Sequence, residues 1–97
     1  MENKTTILRK YIRFYGRVQS CGFRSLAQQI AKRKGVTGWV QNQHDRSVVM
    51  EIQGTQQQIN DVIAELDSDS YIRIERMETK WLDPIPDEKG FKVKSNW

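Results

Sequence analysis

The sequence predicts an α+β domain in which two helices cover one face of an antiparallel sheet. Two observations support this fold class. Segments with an apolar residue at every second position are interspersed with two segments of helical period. A chain of 97 residues with 37% hydrophobic residues can also build one core of two layers. We therefore expect residues 1–97 to form a single domain with a shallow site made from loops and element ends.

The first strand is predicted over residues 7–15, where side chains alternate between two faces. Leu8, Ile12 and Phe14 share one face, and Arg9, Tyr11, Arg13 and Tyr15 share the other. The strand is therefore expected to have one buried face and one face open to water.

A first helix is predicted over residues 23–34, where apolar residues recur three and four positions apart and Gly35 is placed to end the helix. Two strands, 36–41 and 48–53, are predicted next, joined by the polar segment NQHDRS.

The start of the second helix is predicted at Thr55 and Gln58, which have the spacing of a capping box. Apolar residues of helical period then follow over residues 59–66. Residues 71–81 are strand-like, DPIPDEKG is a loop that holds both prolines, and residues 91–94 form a short last strand.

The predicted order is therefore β-α-β-β-α-β with one added strand, which is the ferredoxin-like, split β-α-β arrangement. In such a fold the sheet face opposite the helices is open to water. We expect Trp39 and Trp81 to pack on the sheet or in the core, and Trp97 to dock the terminus.

The segment YGRVQSCGFRS, residues 15–25, links the first strand to the first helix. Gly16 and Gly22 allow the chain to curl so that successive backbone N–H groups point at one anion. The helix N-terminus adds free N–H groups, and Arg24 adds a planar cation that can grip two phosphate oxygens. Taken alone, this pattern fits a phosphate cradle or a glycine turn with an exposed arginine equally well.

A second stretch, GVTGWVQNQHD at residues 35–45, resolves this ambiguity because its order and spacing relative to the turn are those of one family. The chain resembles acylphosphatases over nearly its whole length, at these positions: Gly16-Arg17-Val18-Gln19, Phe23-Arg24, Gly38-Trp39-Val40, Asn42, Asp45, Val48 and Gly54.

The resemblance implies hydrolysis of the carboxyl–phosphate anhydride of small acyl phosphates by in-line water attack, without metal or cofactor. It places the phosphate-binding arginine at Arg24 and the water-orienting asparagine at Asn42, although Asn42 taken alone would fit a turn-forming role better. It also places the amide cradle on Ser20, Cys21, Gly22, Phe23 and Arg24.

Two departures from the family pattern lie close to the implied site. Ser20-Cys21 stands where the family has Gly-Val, and Arg46 replaces a hairpin glycine. If position 20 needs a positive φ, serine costs about 1 kcal/mol or more there and shifts the amides. Reduced activity, or an inactive homologue that binds an anion, is therefore an alternative hypothesis.

Other readings of single residues are weaker. Cys21 is separated from Arg24 by only Gly22 and Phe23, too few residues for a cysteine phosphatase loop, so a packing role is expected. His44 has no histidine or cysteine partner nearby in sequence, which disfavours a metal site.

A different class, an RNA-binding ferredoxin-like module, would use the aromatic and basic residues of the open face, with Tyr71 and Arg73 beside the first strand. The sequence lacks the aromatic motif of such modules.

The composition predicts the class of ligand and the cellular compartment. The net charge of +4 is spread over 16 basic and 12 acidic residues, which favours small anions over a nucleic-acid backbone. The single cysteine and the absence of a long apolar run predict a cytoplasmic monomer with no membrane contact. The expected partners are a small acyl phosphate and inorganic phosphate as product and inhibitor.

Overall fold

The computed structural model describes residues 5–95, and within them two helices and five strands follow one another in the predicted order. The elements are β1 (Leu8–Arg17), α1 (Phe23–Lys34), β2 (Thr37–Asn42), β3 (Val48–Gly54), α2 (Gln56–Ser68), β4 (Arg73–Leu82) and β5 (Phe91–Lys94).

The five strands form one sheet in the order β4-β1-β3-β2-β5. Neighbouring strands run antiparallel except for β5, which lies parallel to β2. The predicted ferredoxin-like class is confirmed, but the sheet is mixed and not wholly antiparallel. After β4, which lies at one edge, the loop 83–90 crosses to the far edge, where β5 runs opposite to β4 and therefore in the direction of β2.

One apolar core lies between the helices and the sheet. It joins alternate residues of the strands to the buried stripes of both helices, including Ile12, Phe14, Met50, Phe23, Ile30, Ile59 and Leu66. Full burial of an aliphatic or aromatic side chain contributes about 1.5–3 kcal/mol, so this interface holds the two layers together.

Both helix boundaries follow local signals that the sequence contains. Gly35 ends α1 with a φ of 76°, the left-handed conformation that glycine adopts most easily. Thr55 caps the start of α2 with both hydrogen bonds of a capping box: its Oγ1 accepts from the Gln58 N–H, and Gln58 Oε1 accepts from the Thr55 N–H.

The sheet face opposite the helices is less open than predicted. Arg9, expected to face water, is only 1% exposed because the loop 83–90 folds over it. Its guanidinium donates to Glu51, Gln53 and Glu88 at 2.8–3.0 Å. These four residues form the Arg9 cluster.

The two tryptophans within the described residues both lie in strands of the sheet. Trp39 is part of β2, and Trp81 lies on the edge strand β4 with about half of its surface exposed. Trp97 lies outside the described residues. Among residues 5–95, no helix has both the length and the apolar character needed to cross a bilayer.

Candidate active site

The glycine-bracketed turn lies between the end of β1 and the start of α1, where it forms the wall of a cavity of about 340 Å³. We call the backbone from Ser20 to Arg24 the cradle. The cavity is lined by Val18, Gln19, Ser20, Gly22, Phe23, Arg24, Ser25, Gln28, Asn42 and Val93. Arg24 and Asn42, which are 18 positions apart in sequence, thus meet at one cavity with the cradle.

Two left-handed residues set the course of the cradle's backbone. Ser20 has a φ of 61° and Gly22 a φ of 80°, so left-handed residues curl the chain ahead of the helix. None of the backbone N–H groups from Ser20 to Ser25 donates a hydrogen bond to an acceptor within residues 5–95. Free N–H groups at a helix N-terminus, where the dipole is positive, favour a bound oxyanion.

The positive φ of Ser20 confirms the condition under which the serine is strained. Left-handed backbone costs an ordinary L-residue roughly 1–2 kcal/mol relative to glycine. Ser20 is exposed and lines the cavity, so its side chain lies at the open side of the cavity.

Arg24 occupies the first turn of α1 and is only partly buried. Its Nη1 donates one long hydrogen bond, 3.4 Å, to the carbonyl of Lys94 in β5, and no carboxylate in residues 5–95 pairs with it. The guanidinium therefore keeps most of its five donors for a ligand.

Asn42 is the last residue of β2. Its Oδ1 is buried and has no hydrogen-bond partner among the described residues. A buried carbonyl oxygen without a partner costs about 1–3 kcal/mol, and such an atom in a cavity wall needs a donor from outside the protein chain. Water is the smallest such donor.

The cradle is tied to the β2–β3 hairpin by Gln19. Its Nε2 donates to the carbonyls of Gln43 at 2.7 Å and Ser47 at 2.9 Å. The resemblance contained this glutamine, but only the structure shows that it fixes the hairpin against the cradle.

The hairpin itself is braced by Asp45. Its carboxylate accepts from the N–H and Oγ of Ser47 and from the guanidinium of Arg13. Hydrogen bonds from Ser47, with the nearby charge of Arg13, hold the pKa of Asp45 below its ordinary value. The carboxylate is therefore ionised at neutral pH and keeps the hairpin closed.

Of the five cradle residues, only Cys21 does not line the cavity. Its Sγ lies 3.6 Å from the carbonyl of Arg17, and the side chain packs against the core. His44 is exposed in the hairpin, and no cluster of three or more His, Cys, Asp or Glu within residues 5–95 could hold a metal ion.

Two further cavity residues had no signal in the sequence. Gln28 lines the wall and donates to the carbonyl of Phe91 at 2.9 Å, which links α1 to β5. Val93 of β5 adds an apolar surface. Both depend on the parallel pairing of β5 with β2, which no local pattern encodes.

The open sheet face offers little to a nucleic acid. The rings of Tyr11, Tyr15 and Trp39 each lie 3.9–5.2 Å from a cation of the same chain. Bases would have to displace these contacts before they could stack. Nothing in the structure favours the RNA-binding alternative.

Comparisons with known proteins point to one family. The acylphosphatase family model matches residues 10–93. The acylphosphatase of Clostridium acetobutylicum is 35% identical over 86 residues, which cover 88% of this chain and 94% of that protein. The acylphosphatase of Thermococcus kodakarensis is 38% identical over 87 residues, which cover 89% and 94%. The crystal structure of acylphosphatase from Bacillus subtilis has a TM-score of 0.82 at 22% identity and matches 90% of this chain and 98% of that one.

Proposed function

This chain belongs to the acylphosphatase family, hydrolases of acyl phosphates, and we propose that it carries out this hydrolysis at the cavity between the cradle and Asn42. The proposed reaction cleaves the carboxyl–phosphate anhydride of a small acyl phosphate by in-line attack of water. The products are a carboxylate and inorganic phosphate.

The observation that carries this proposal is the unpartnered Oδ1 of Asn42. It lies in the wall of the same cavity as Arg24 and the free N–H groups of the cradle. An acceptor that can hold a water and a set of donors that can hold a phosphoryl group are the two requirements of the reaction.

Arg24 and the cradle supply the electrostatic stabilisation of the phosphoryl group in this proposal. The planar guanidinium can grip two phosphoryl oxygens, and the N–H groups can hold the same group from the helix end. Fixed donors aimed at oxygens whose charge changes in the transition state lower the barrier without reorganisation.

The proposed hydrolysis needs no nucleophile from the protein. The water oxygen forms a bond to phosphorus while the bond from phosphorus to the acyl oxygen breaks, and its electron pair leaves with the carboxylate. A carboxylate is a weak base, so the leaving group needs no general acid. The water proton passes to a phosphoryl oxygen of the substrate. The position of Cys21 outside the cavity is consistent with this route.

The test is hydrolysis of benzoyl phosphate by wild type and Asn42→Ala. We expect kcat to fall by about 10²-fold, as for loss of one positioned transition-state contact. Competitive inhibition by inorganic phosphate should change little, because Asn42 is assigned to the water and not to the phosphoryl group.

Gln41→Ala is the matched control, since Gln41 precedes Asn42 in β2 and its side chain donates to the carbonyl of Ser95. It should retain activity. Equal loss of kcat and of phosphate affinity in Asn42→Ala would contradict the assigned role.

We further propose that the protein works as a cytoplasmic monomer with phosphate as product inhibitor and with no cofactor. The free thiol of Cys21 suits a reducing compartment. Sedimentation of the active enzyme at assay concentration would test the monomer.

A further inference from the structure

A second cavity, of about 450 Å³, adjoins the cradle on the side of the β2–β3 hairpin. It is lined by Gly16, Arg17, Val18, Gln19, Ser20 and Arg46. Val18, Gln19 and Ser20 line the first cavity as well. The two cavities are thus neighbours along one loop, and a ligand held by its phosphoryl group in the first can extend its other end into the second.

The second cavity has two cations without partners. The guanidinium groups of Arg17 and Arg46 form no hydrogen bond or ion pair with any of residues 5–95, and both residues are exposed. The carboxylate next in sequence to Arg46, Asp45, is already bound to Arg13 and Ser47. A single unpaired surface arginine is ordinary, but two that line one cavity beside an anion cradle raise its affinity for negative charge.

The backbone of Arg46 is held in a strained conformation. Its φ is 75°, in the left-handed region that favours glycine over a residue with a side chain. The N–H of Arg46 donates to the carbonyl of Gln43, and the N–H of Gln43 donates to the carbonyl of Ser47. Gln19 donates to both of these carbonyls from the cradle side. Strain that the surroundings maintain in this way clusters at functional sites.

We propose that Arg17 and Arg46 form a subsite for a second anionic group on the acyl part of the substrate. The enzyme then prefers acyl phosphates whose acyl chain ends in a carboxylate over neutral acyl phosphates of the same size. This inference rests on the proposed function, because it assumes that the phosphoryl group occupies the cradle.

The experiment compares adipoyl phosphate, whose chain ends in a carboxylate, with its monoamide, in which that carboxylate is a neutral amide. Wild type should show a kcat/KM ratio of about fivefold in favour of the carboxylate, the upper end of what a solvent-exposed ion pair contributes. The preference should reside mainly in KM, because the distal group binds alike in the ground state and the transition state.

Arg46→Gly and Arg17→Gln should each lower this ratio, and the double variant should bring it to about 1. Glycine suits the left-handed backbone at position 46, so Arg46→Gly should fold at least as well as wild type. Lys32→Gln removes one charge from the last turn of α1, at the end of the helix away from the cradle, and should leave the ratio unchanged.

A wild-type ratio of 1, with both substrates hydrolysed, would overturn the subsite and leave the proposed function intact. An equal fall of the ratio in Lys32→Gln would also overturn it, since net charge alone would then explain the preference. If neither substrate nor benzoyl phosphate is hydrolysed, the proposed function itself fails.

Discussion

Arg9 and Arg24 are the same residue type in two opposite situations. Arg9 is 1% exposed and donates to three side chains of the Arg9 cluster at 2.8–3.0 Å. Arg24 is partly exposed and donates one bond of 3.4 Å to a backbone carbonyl. Arg9 lies in β1 and Arg24 in α1, and among the described residues only Arg9 has carboxylate partners.

The difference in burial between Arg9 and Arg24 decides how many acceptors each guanidinium needs within the protein. Removing a guanidinium from water costs several kcal/mol, so a buried arginine persists only with acceptors around it. Arg9 has three side-chain acceptors, and its Nη2, which has no partner among the described residues, is buried. An arginine at a cavity without carboxylate partners can exchange water for an anion at small cost, which is the requirement of a binding group.

The largest effect is expected when the unpaired arginine is removed. Arg24→Ala should lower kcat/KM for benzoyl phosphate by about 10³-fold, the lower range for an arginine that stabilises a phosphoryl transition state. Inhibition by phosphate should weaken, while the melting temperature changes little. Arg24→Lys should restore little, because an ammonium cannot form the planar bidentate grip.

Arg33→Ala is the control for Arg24, since Arg33 lies on the same helix but pairs with Glu65. It should leave turnover near wild type. Near-normal turnover by Arg24→Ala would show that the unpaired arginine is not the phosphate-binding group.

Removal of Arg9, the paired arginine, should lower stability and leave activity largely unchanged. Arg9→Met should lower the free energy of unfolding by about 3 kcal/mol, because the carboxylates of Glu51 and Glu88 lose their buried partner. Activity of the folded fraction should persist. The measurement is urea denaturation followed by assay below the transition.

Arg13→Met provides the comparison on the same strand. Arg13 pairs with Asp45 near the surface, and such a pair contributes at most about 1 kcal/mol. Equal losses of stability in the two variants would mean that burial does not distinguish the Arg9 cluster.

The pH dependence of stability gives a further test of the Arg9 cluster. Burial raises the pKa of Glu88, but the hydrogen bonds and charge of its partners, Arg9 first, outweigh burial and hold the pKa below its ordinary value of 4.5. A depressed folded-state pKa stabilises the fold above the unfolded value, and this contribution is lost as the pH falls below about 4.5.

The difference in melting temperature between wild type and Glu88→Gln should therefore shrink between pH 6 and pH 3. A difference that stays constant over this range would show that Glu88 does not titrate with the folding equilibrium.

The smallest effect is expected at Ser20. Ser20→Gly should raise kcat/KM for benzoyl phosphate a few-fold, because glycine relieves the left-handed strain and lets the cradle amides settle around the phosphoryl group. Ser20→Ala should stay close to wild type, since alanine keeps the β-carbon. Loss of activity in both variants would show instead that the Ser20 hydroxyl binds phosphate.

Much of the fold could be predicted from the sequence because its signals are local. Apolar residues at every second position, or three and four apart, specified the strands and helices, and Gly35 and the Thr55–Gln58 pair marked helix ends that the structure confirms. These signals act between residues close in the chain, so their effect survives in any tertiary context. The family resemblance added the family itself and the candidate roles of Arg24 and Asn42.

Tertiary structure alone decided what surrounds each of those residues. Arg9 and Arg13 occupy equivalent places in the alternation of β1, and only the fold of the loop 83–90 buries one of them. Arg46 comes beside the cradle because β3 pairs with β1 and Gln19 binds the carbonyls of the hairpin. Burial and partners depend on contacts between residues 20 to 80 positions apart, and the chain pattern around each arginine contains no information about those distant neighbours.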